Sequence, residues 1–268
     1  MVFHYQIFKH IHMSKSFGLV ILPVVPVRSE PADQSELVTQ LLYGETVEIL
    51  ESAEKWLYVS LLSDGYKGWV DKKMILLNFI PENSKKQVLT QALVACIEKN
   101  GTGIFYLPGG SLVPVSESGS IYVGGTEFIY PAGIFDLPEG TKQQIVVGLA
   151  LRFLHAPYLW GGKSVLGIDC AALVQIVYSM IGIQLPRDAG DQLVFGEVVD
   201  FIDEAIAGDV AYFENSAGEI VHVGILISSS EIIHASGKVK VEKIDSNGII
   251  STENGMYTHK LRVIKRLI

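Results

Sequence analysis

Residues 160–192 read WGGKSVLGIDCAALVQIVYSMIGIQLPRDAGDQ and carry the most informative pattern in the chain. The segment Cys170–Ile183 is mostly apolar, which predicts a buried helix that ends near Gly182. Cys170 would then stand at the start of this helix. There the helix dipole and the unpaired backbone N–H groups stabilise a thiolate and can hold an oxyanion. The pattern makes Cys170 a candidate nucleophile.

A cysteine nucleophile needs a base within hydrogen-bonding reach and a further group that orients the base. The segment HVGILISSSEIIHAS (residues 222–236) predicts a β-hairpin with its turn at SSSE, so His222 and His234 would lie at the same end of two neighbouring strands. Whether the two side chains share a face depends on the strand register, which the sequence leaves open. Taken alone, a buried cysteine at a helix start or a histidine at a strand end is more often structural.

The composition excludes several classes of protein. The chain has 268 residues, of which 49% are hydrophobic and 19% are charged, and its formal net charge is −8. These values exclude an intrinsically disordered chain and argue against a nucleic-acid partner. The two cysteines cannot form a disulfide framework. Cys96 lies in the apolar, strand-like run LVACIEK, where we expect an inert core residue.

The first half of the chain is rich in short strand patterns separated by glycine-containing turns, such as ETVEIL (45–50) and WLYVSLL (56–62). This spacing predicts a small β barrel over residues 14–80. The polar run PENSKKQ then marks a boundary, and a second β-rich stretch over residues 81–140 could repeat the barrel. The last part, residues 141–268, is α+β, with a predicted helix that Thr141 would cap.

The apolar run FGLVILPVVPV (17–27) follows two lysines and could be a secretory signal. It contains two prolines, lacks a small-residue cleavage site after it and is too short to span a bilayer, so a buried first strand is favoured. Met13 could be the true start of the protein. The histidines at 4, 10 and 12 would then not form a metal site.

Four motifs, in order and with matching spacing, resemble the NlpC/p60 family of cysteine peptidases, papain-like enzymes that cut bacterial cell-wall peptides. The motifs are the segment 160–192, GDVAYF (208–213), HVGILI (222–227) and IHAS (233–236). The resemblance implies a papain-like domain in which Cys170 is the nucleophile, His222 the base and His234 the third polar residue. The tyrosine that helps to stabilise the oxyanion in this family falls on Tyr158.

One motif departs from the family pattern. The family usually reads Asp-Cys-Ser-Gly, whereas this chain reads Asp-Cys-Ala-Ala over residues 169–172. Ala171 lacks a hydroxyl that contacts a free substrate amine in some relatives. The departure puts affinity or substrate choice in doubt, but not the nucleophile.

The segments 27–50 and 56–70 resemble the bacterial SH3-like domains that precede NlpC/p60 domains in γ-D-glutamyl-L-diamino acid endopeptidases, also called dipeptidyl-peptidase VI. Members of that subgroup often carry two such domains, so we expect two small SH3-like β barrels before the papain-like domain. The resemblance implies that Glu45, Tyr66 and Asp169 together bind the free N-terminal amine of the substrate.

The whole resemblance implies a cysteine endopeptidase that hydrolyses the γ-D-Glu–diamino acid bond of peptidoglycan-derived peptides beginning with L-Ala. No metal, cofactor, nucleic acid or membrane is expected to take part, and the expected location is the cytoplasm. Two alternatives stay open. One is an exported lytic endopeptidase, periplasmic or secreted, and the other is a non-catalytic module that binds the cell wall. The preferred diamino acid and the oligomeric state stay open as well.

Overall fold

The computed structural model describes residues 15–80, 85–114 and 116–268. Three β-rich modules follow one another along the chain, and the third also carries α-helices. The predictions on Met13 and on the histidines at 4, 10 and 12 concern residues outside these ranges. Across the described ranges, no helix is long and apolar enough to cross a membrane.

The first module is one antiparallel sheet. Its strands are β1 (Ser16–Val20), β2 (Val24–Arg28), β3 (Leu37–Leu42), β4 (Thr46–Ser52), β5 (Trp56–Leu61), β6 (Lys67–Asp71) and β7 (Ile75–Leu77). They pair in the order β3-β2-β6-β5-β4-β1-β7, and alternate side chains such as Val25, Val47 and Val59 fill the core. The single strand predicted over residues 17–27 is two strands, because a bend containing Pro23 separates β1 from β2.

The second module contains two separate small sheets. Its strands are β8 (Lys86–Val88), β9 (Leu93–Glu98), β10 (Ile104–Pro108), β11 (Leu112–Pro114), β12 (Ser120–Val123) and β13 (Thr126–Ile129). They pair as β10-β9-β13-β12 and β11-β8. Cys96 lies in the core of this module, where burial raises the pKa of its thiol to about 11. That the module is a second SH3-like domain over residues 81–140 stays a prediction.

The third module contains helices and a closed barrel. Its elements are α1 (Lys142–Leu151), β14 (Lys163–Ser164), β15 (Gly167–Ile168), α2 (Cys170–Ser179), α3 (Ala189–Gln192), β16 (Glu197–Val199), β17 (Val210–Glu214), β18 (Ile220–Ser228), β19 (Glu231–Ser236), β20 (Lys238–Ile244), β21 (Gly248–Ile250) and β22 (Tyr257–Arg266). The large sheet has the order β16-β22-β17-β18-β19-β20-β21, and a further pairing of β21 with β22 closes it. Thr141 caps α1 in a capping box with Gln144, as predicted.

The barrel has two faces with different partners. Val223 and Ile225 pack with helix α2 in the largest core cluster, on the outside of the barrel. Phe213 and Leu226 belong to a separate cluster that fills the inside. Because side chains alternate along a strand, His222 points to the inside while its neighbour Val223 points to the helix.

Buried polar contacts join the modules. The Lys163 ammonium donates to the Glu45 carboxylate at 2.8 Å and so links the third module to the first.

Gly44 lies at the junction of the first and second modules with φ +83, and a Cβ there would lie 1.8 Å from the carbonyl oxygen of Leu112. A glycine is therefore required at this close approach.

Candidate active site

Asp169 sets the position of Cys170. The Asp169 carboxylate accepts a hydrogen bond from the Ala172 backbone N–H at 2.8 Å, so helix α2 begins at Cys170. The buried thiol contacts the backbone N–H of Val223, the residue that follows His222. The predicted helix start is confirmed, and Cys170 meets strand β18 at the peptide that joins His222 to Val223.

The Cys170 thiol is neutral in this environment. Burial, helped by the Asp169 carboxylate, raises its pKa to about 11 against the opposing effect of nearby N–H groups. The N–H groups at the helix start act to lower this pKa, as expected, but the loss of solvation on burial outweighs them, so the net shift is upward. Burial, together with the nearby His259, His234 and Lys240, holds the pKa of His222 well below its usual value. Both shifts favour the neutral forms, a thiol for Cys170 and a neutral imidazole for His222.

The strand register brings His222 and His234 onto the same face. Gly224 on β18 pairs with His234 on β19, so His222 lies diagonally across from His234. Nε2 of His222 and Nδ1 of His234 are 2.8 Å apart. Gly224 makes room for this contact, since a Cβ there would lie 2.9 Å from the Cβ of His234. The structure thus answers the question of register that the sequence leaves open.

A buried carboxylate that is not predicted from the sequence binds the other ring nitrogen of His234. Oε2 of Glu242 lies 2.9 Å from Nε2 of His234, and both side chains are buried. The available signal is the alternation in KVKVEK (238–243), where polar residues occupy the even-numbered positions of β20. Because His234 pairs with Lys240, these positions share the face of His234.

A further histidine stacks on His222. The His259 ring lies with its centroid 4.0 Å from that of His222, and the planes differ by 27°. His259 lies on β22, which pairs with β17, the strand beside β18, so strand pairing brings it there and no local pattern indicates it. In the described part of the chain, no group of three or more His, Cys, Asp or Glu side chains is arranged to hold a metal ion.

Tyr158 is held beside the start of α2. Its backbone N–H donates to the carbonyl oxygen of Gly237 at 3.0 Å, and it forms a parallel bridge with Ile168, just before Asp169. Burial raises the pKa of its hydroxyl to about 12, and the nearby Cys170 and Asp169 act in the same direction. The hydroxyl therefore stays protonated and can donate a hydrogen bond.

A groove of about 560 Å³ contains Cys170 and is lined by both the first and the third modules. Tyr66 from the first module and Asp169 from the third lie in its wall, so two predicted substrate-binding residues share one groove with Cys170. Ala171 also lines the groove, so the serine that the family usually carries at this position would present its hydroxyl to the groove.

Glu45 is not among the residues that line this groove, and its role as a substrate-binding residue stays a prediction. Its buried carboxylate accepts hydrogen bonds from the Leu42 backbone N–H at 2.7 Å and from the Lys163 ammonium at 2.8 Å. Both contacts turn the side chain toward the module junction. Glu36 lines the groove instead, where its carboxylate accepts a hydrogen bond from the Trp160 indole N–H at 2.7 Å.

The charge of Asp169 is already balanced. Arg187 binds its carboxylate with both terminal nitrogens, of which Nη1 lies 3.0 Å from Oδ1. The Gly161 backbone N–H donates to Oδ2 at 3.0 Å. Arg187 also donates through Nε to the Thr39 hydroxyl at 2.8 Å, which ties this ion pair to the first module. Asp169 therefore organises the groove wall and carries little free negative charge.

Two other carboxylates, Glu36 and Asp188, line the groove together with Tyr66. Burial raises the pKa of Asp188, while Arg187 and a hydrogen bond from Tyr66 act to lower it. Burial also raises the pKa of Tyr66 to about 12, so its hydroxyl is neutral. This part of the groove can compensate the charge of a bound ammonium group.

Comparison with known proteins supports the family resemblance of both halves of the chain. Residues 155–260 match the NlpC/P60 family, and residues 27–75 match the bacterial dipeptidyl-peptidase SH3 domain. Gamma-D-glutamyl-L-lysine dipeptidyl-peptidase of Bacillus subtilis (strain 168) is 29% identical over 245 residues, which cover 85% of this chain and 80% of that protein. Dipeptidyl-peptidase 6 of Lysinibacillus sphaericus is 28% identical over 257 residues, which cover 85% of this chain and 92% of that protein.

The fold also recurs in a solved structure. The crystal structure of an NlpC/P60 family protein from Bacillus cereus ATCC 10987 superposes with a TM-score of 0.78 at 18% identity, covering 94% of this chain and 99% of the other. The predicted papain-like domain with an SH3-like β domain before it is confirmed. The chain thus carries an NlpC/P60 cysteine peptidase domain behind a bacterial dipeptidyl-peptidase SH3 domain.

Proposed function

We propose that this peptidase hydrolyses the γ-D-Glu–diamino acid bond of peptidoglycan-derived peptides with a free N-terminal L-Ala, and so releases L-Ala-γ-D-Glu. The observation that carries the proposal is that Glu36 and Tyr66 of the first module line the same groove as Cys170. A peptide in the groove would meet the first module on one side of the bond to be cut. The names of the two relatives, both dipeptidyl-peptidases, agree with this substrate class.

The free amine is recognised by the acidic part of the groove. Glu36 and Asp188 provide the negative charge, and the Tyr66 hydroxyl provides a neutral hydrogen-bond partner. Asp169 shapes the wall of the groove and adds little negative charge to it, since Arg187 balances its carboxylate. Recognition of the amine limits the N-terminal fragment to two residues, because the distance from this site to Cys170 sets which carbonyl is attacked.

The chemistry follows from the neutral thiol and imidazole. His222 takes the proton of Cys170 as the sulfur attacks the γ-carbonyl of D-Glu. The Cys170 backbone N–H and the Tyr158 hydroxyl stabilise the oxyanion. His222, held by His234, then gives its proton to the leaving amine of the diamino acid. It next activates a water molecule that hydrolyses the thioester.

The experiment compares L-Ala-γ-D-Glu-L-Lys with its N-acetylated analogue. Acetylation removes the ammonium charge and should lower kcat/KM by at least about 100-fold, since a buried charged partner left unpaired costs several kcal/mol. Equal rates for both peptides would contradict recognition of the amine. Cys170→Ala should abolish cleavage whereas Cys96→Ala should retain it, and an unchanged rate in Cys170→Ala would contradict the mechanism.

Location belongs to the same proposal. A requirement for a free amine selects a peptide already released from the wall, which favours a cytoplasmic enzyme of peptide recycling. Release of fragments from intact peptidoglycan at a rate comparable with that on the free tripeptide would favour an exported lytic endopeptidase instead. Fractionation of cells with detection of the native protein tests the location directly.

A further inference from the structure

Three buried side chains form a continuous hydrogen-bonded line inside the barrel. Nε2 of His222 lies 2.8 Å from Nδ1 of His234, and Nε2 of His234 lies 2.9 Å from Oε2 of Glu242. The exposed fractions of the three residues are 5%, 0% and 2% in that order. Because the contacts along this line are made within the protein, the position of one hydrogen determines the next.

Glu242 sets the direction of this line. Its Oε1 accepts hydrogen bonds from the Thr252 backbone N–H at 2.9 Å and from the Thr252 hydroxyl at 3.2 Å, and the Lys240 ammonium lies 3.2 Å away. Burial acts to raise the pKa of Glu242, but these donors and His234 together lower it. An ionised carboxylate only accepts hydrogen bonds, so Nε2 of His234 carries the hydrogen between them.

The proton count of the two rings then follows. Burial lowers the pKa of His234 to about 4, although Glu242 opposes the shift, so the ring is neutral near pH 7 and its Nδ1 has a lone pair. That lone pair accepts the Nε2 hydrogen of His222. The His222 ring is also neutral, which leaves Nδ1 as its basic nitrogen. Lys240 on β20 and His259 on β22 face these rings and also favour their neutral forms.

We propose that Glu242 is a positioning residue of the peptidase site: it fixes the tautomers of His234 and His222 so that His222 presents Nδ1 as its base. The proposal rests on the proposed role of His222 as the base for Cys170. The tautomers themselves are properties of the folded protein and can be measured without substrate.

Glu242→Gln tests the proposal because it keeps the shape of the side chain but reverses the donor and the acceptor in each hydrogen bond along the line. The glutamine carbonyl will occupy the Oε1 position, where three donors converge, and its NH2 group will face His234. Nε2 of His234 must then accept a hydrogen bond, so its hydrogen moves to Nδ1 and points at His222. The hydrogen of His222 in turn moves to Nδ1 and blocks the base.

We expect Glu242→Gln to lower kcat for L-Ala-γ-D-Glu-L-Lys by about 10²- to 10⁴-fold, since a reversed histidine tautomer costs about 10⁴-fold in the serine-protease triad. KM should change by less than about 3-fold, because Glu242 does not touch the substrate. In ¹⁵N-histidine NMR spectra, Nδ1 of His222 should change from unprotonated to protonated. Glu253→Gln, which neutralises an exposed neighbour, should change neither kcat nor the spectra.

Glu242→Asp provides a second variant if Glu242→Gln does not fold. It keeps the carboxylate, so the original tautomers and most of the activity should remain. A folded Glu242→Gln protein with kcat within about 3-fold of the native value, or with Nδ1 of His222 still unprotonated, would overturn the proposal. If the native protein does not cleave the tripeptide but the tautomers reverse as described, the proposed substrate fails and the positioning role stands.

Discussion

Arg187 neutralises Asp169 at the point where the helix bearing Cys170 begins. The two side chains are 3% and 8% exposed, and two nitrogens of Arg187 bind the carboxylate. The same arginine holds the Thr39 hydroxyl of the first module. One buried ion pair therefore connects the helix start, the segment after the helix and the first module. Glu36 and Asp188 are then the groove carboxylates that we propose to recognise an amine.

Arg187→Met should lower the free energy of unfolding by about 3–5 kcal/mol, because it leaves the Asp169 carboxylate buried without its partner. Urea unfolding followed by circular dichroism measures the loss. Arg262→Met is the matched control, since the Arg262 side chain is 61% exposed and its partner Glu214, at 3.3 Å, keeps a second ion pair with Lys260. Removal of this exposed arginine should cost about 0–1 kcal/mol. Similar losses in both variants would contradict the role of the buried pair.

Glu36→Gln and Glu45→Gln should separate substrate binding from stability. Glu36→Gln should raise KM for the free-amine tripeptide by about 10- to 100-fold, the range expected for a hydrogen bond to a charged group. It should leave the slow cleavage of the acetylated peptide unchanged. Glu45→Gln should leave KM unchanged but lower the unfolding free energy, because the Lys163 ammonium stays buried without a charged partner. The opposite pattern would refute the placement of the two carboxylates.

Stability should fall as the pH decreases from about 6.5 to about 4 because of His234. Its pKa is lowered from 6.5 to about 4 in the folded protein, so the unfolded chain binds more protons in this interval. The contribution is complete above the unfolded value and amounts to about 3 kcal/mol at 1.36 kcal/mol per pH unit. Urea unfolding at pH 7 and pH 4.5 measures it. His234→Asn should show a smaller loss between these pH values, and parallel losses in both proteins would contradict the shift.

Alkylation of Cys170 should increase steadily with pH. Because its pKa is raised to about 11, the thiolate fraction should grow about tenfold per pH unit through the neutral range. Iodoacetamide labelling followed by mass spectrometry should show no plateau below about pH 9, and the fully buried Cys96 should stay unmodified in the folded protein. A constant Cys170 rate from about pH 5 upward would indicate a thiolate–imidazolium pair and refute the raised pKa.

Several features of the fold and of the site depend on residues close in the chain, and local pattern is enough to predict them. The helix start at Cys170 follows from an apolar run behind a capping aspartate. The Thr141 N-cap follows from the capping box with Gln144. The hairpin that carries His222 and His234 follows from two strand patterns around a short turn.

The amino-acid sequence thus determines the family, the candidate nucleophile and the two histidines, because each depends on short-range order that the motifs preserve. Only the packing of the modules decides that Glu36 lines the groove and Glu45 does not, since their orientation depends on contacts more than 100 residues away, with Trp160 and Lys163. Strand pairing and register likewise bring Glu242 and His259 to the histidines. Burial then decides the protonation of Cys170, since a helix end cannot offset the loss of solvation that the folded barrel imposes.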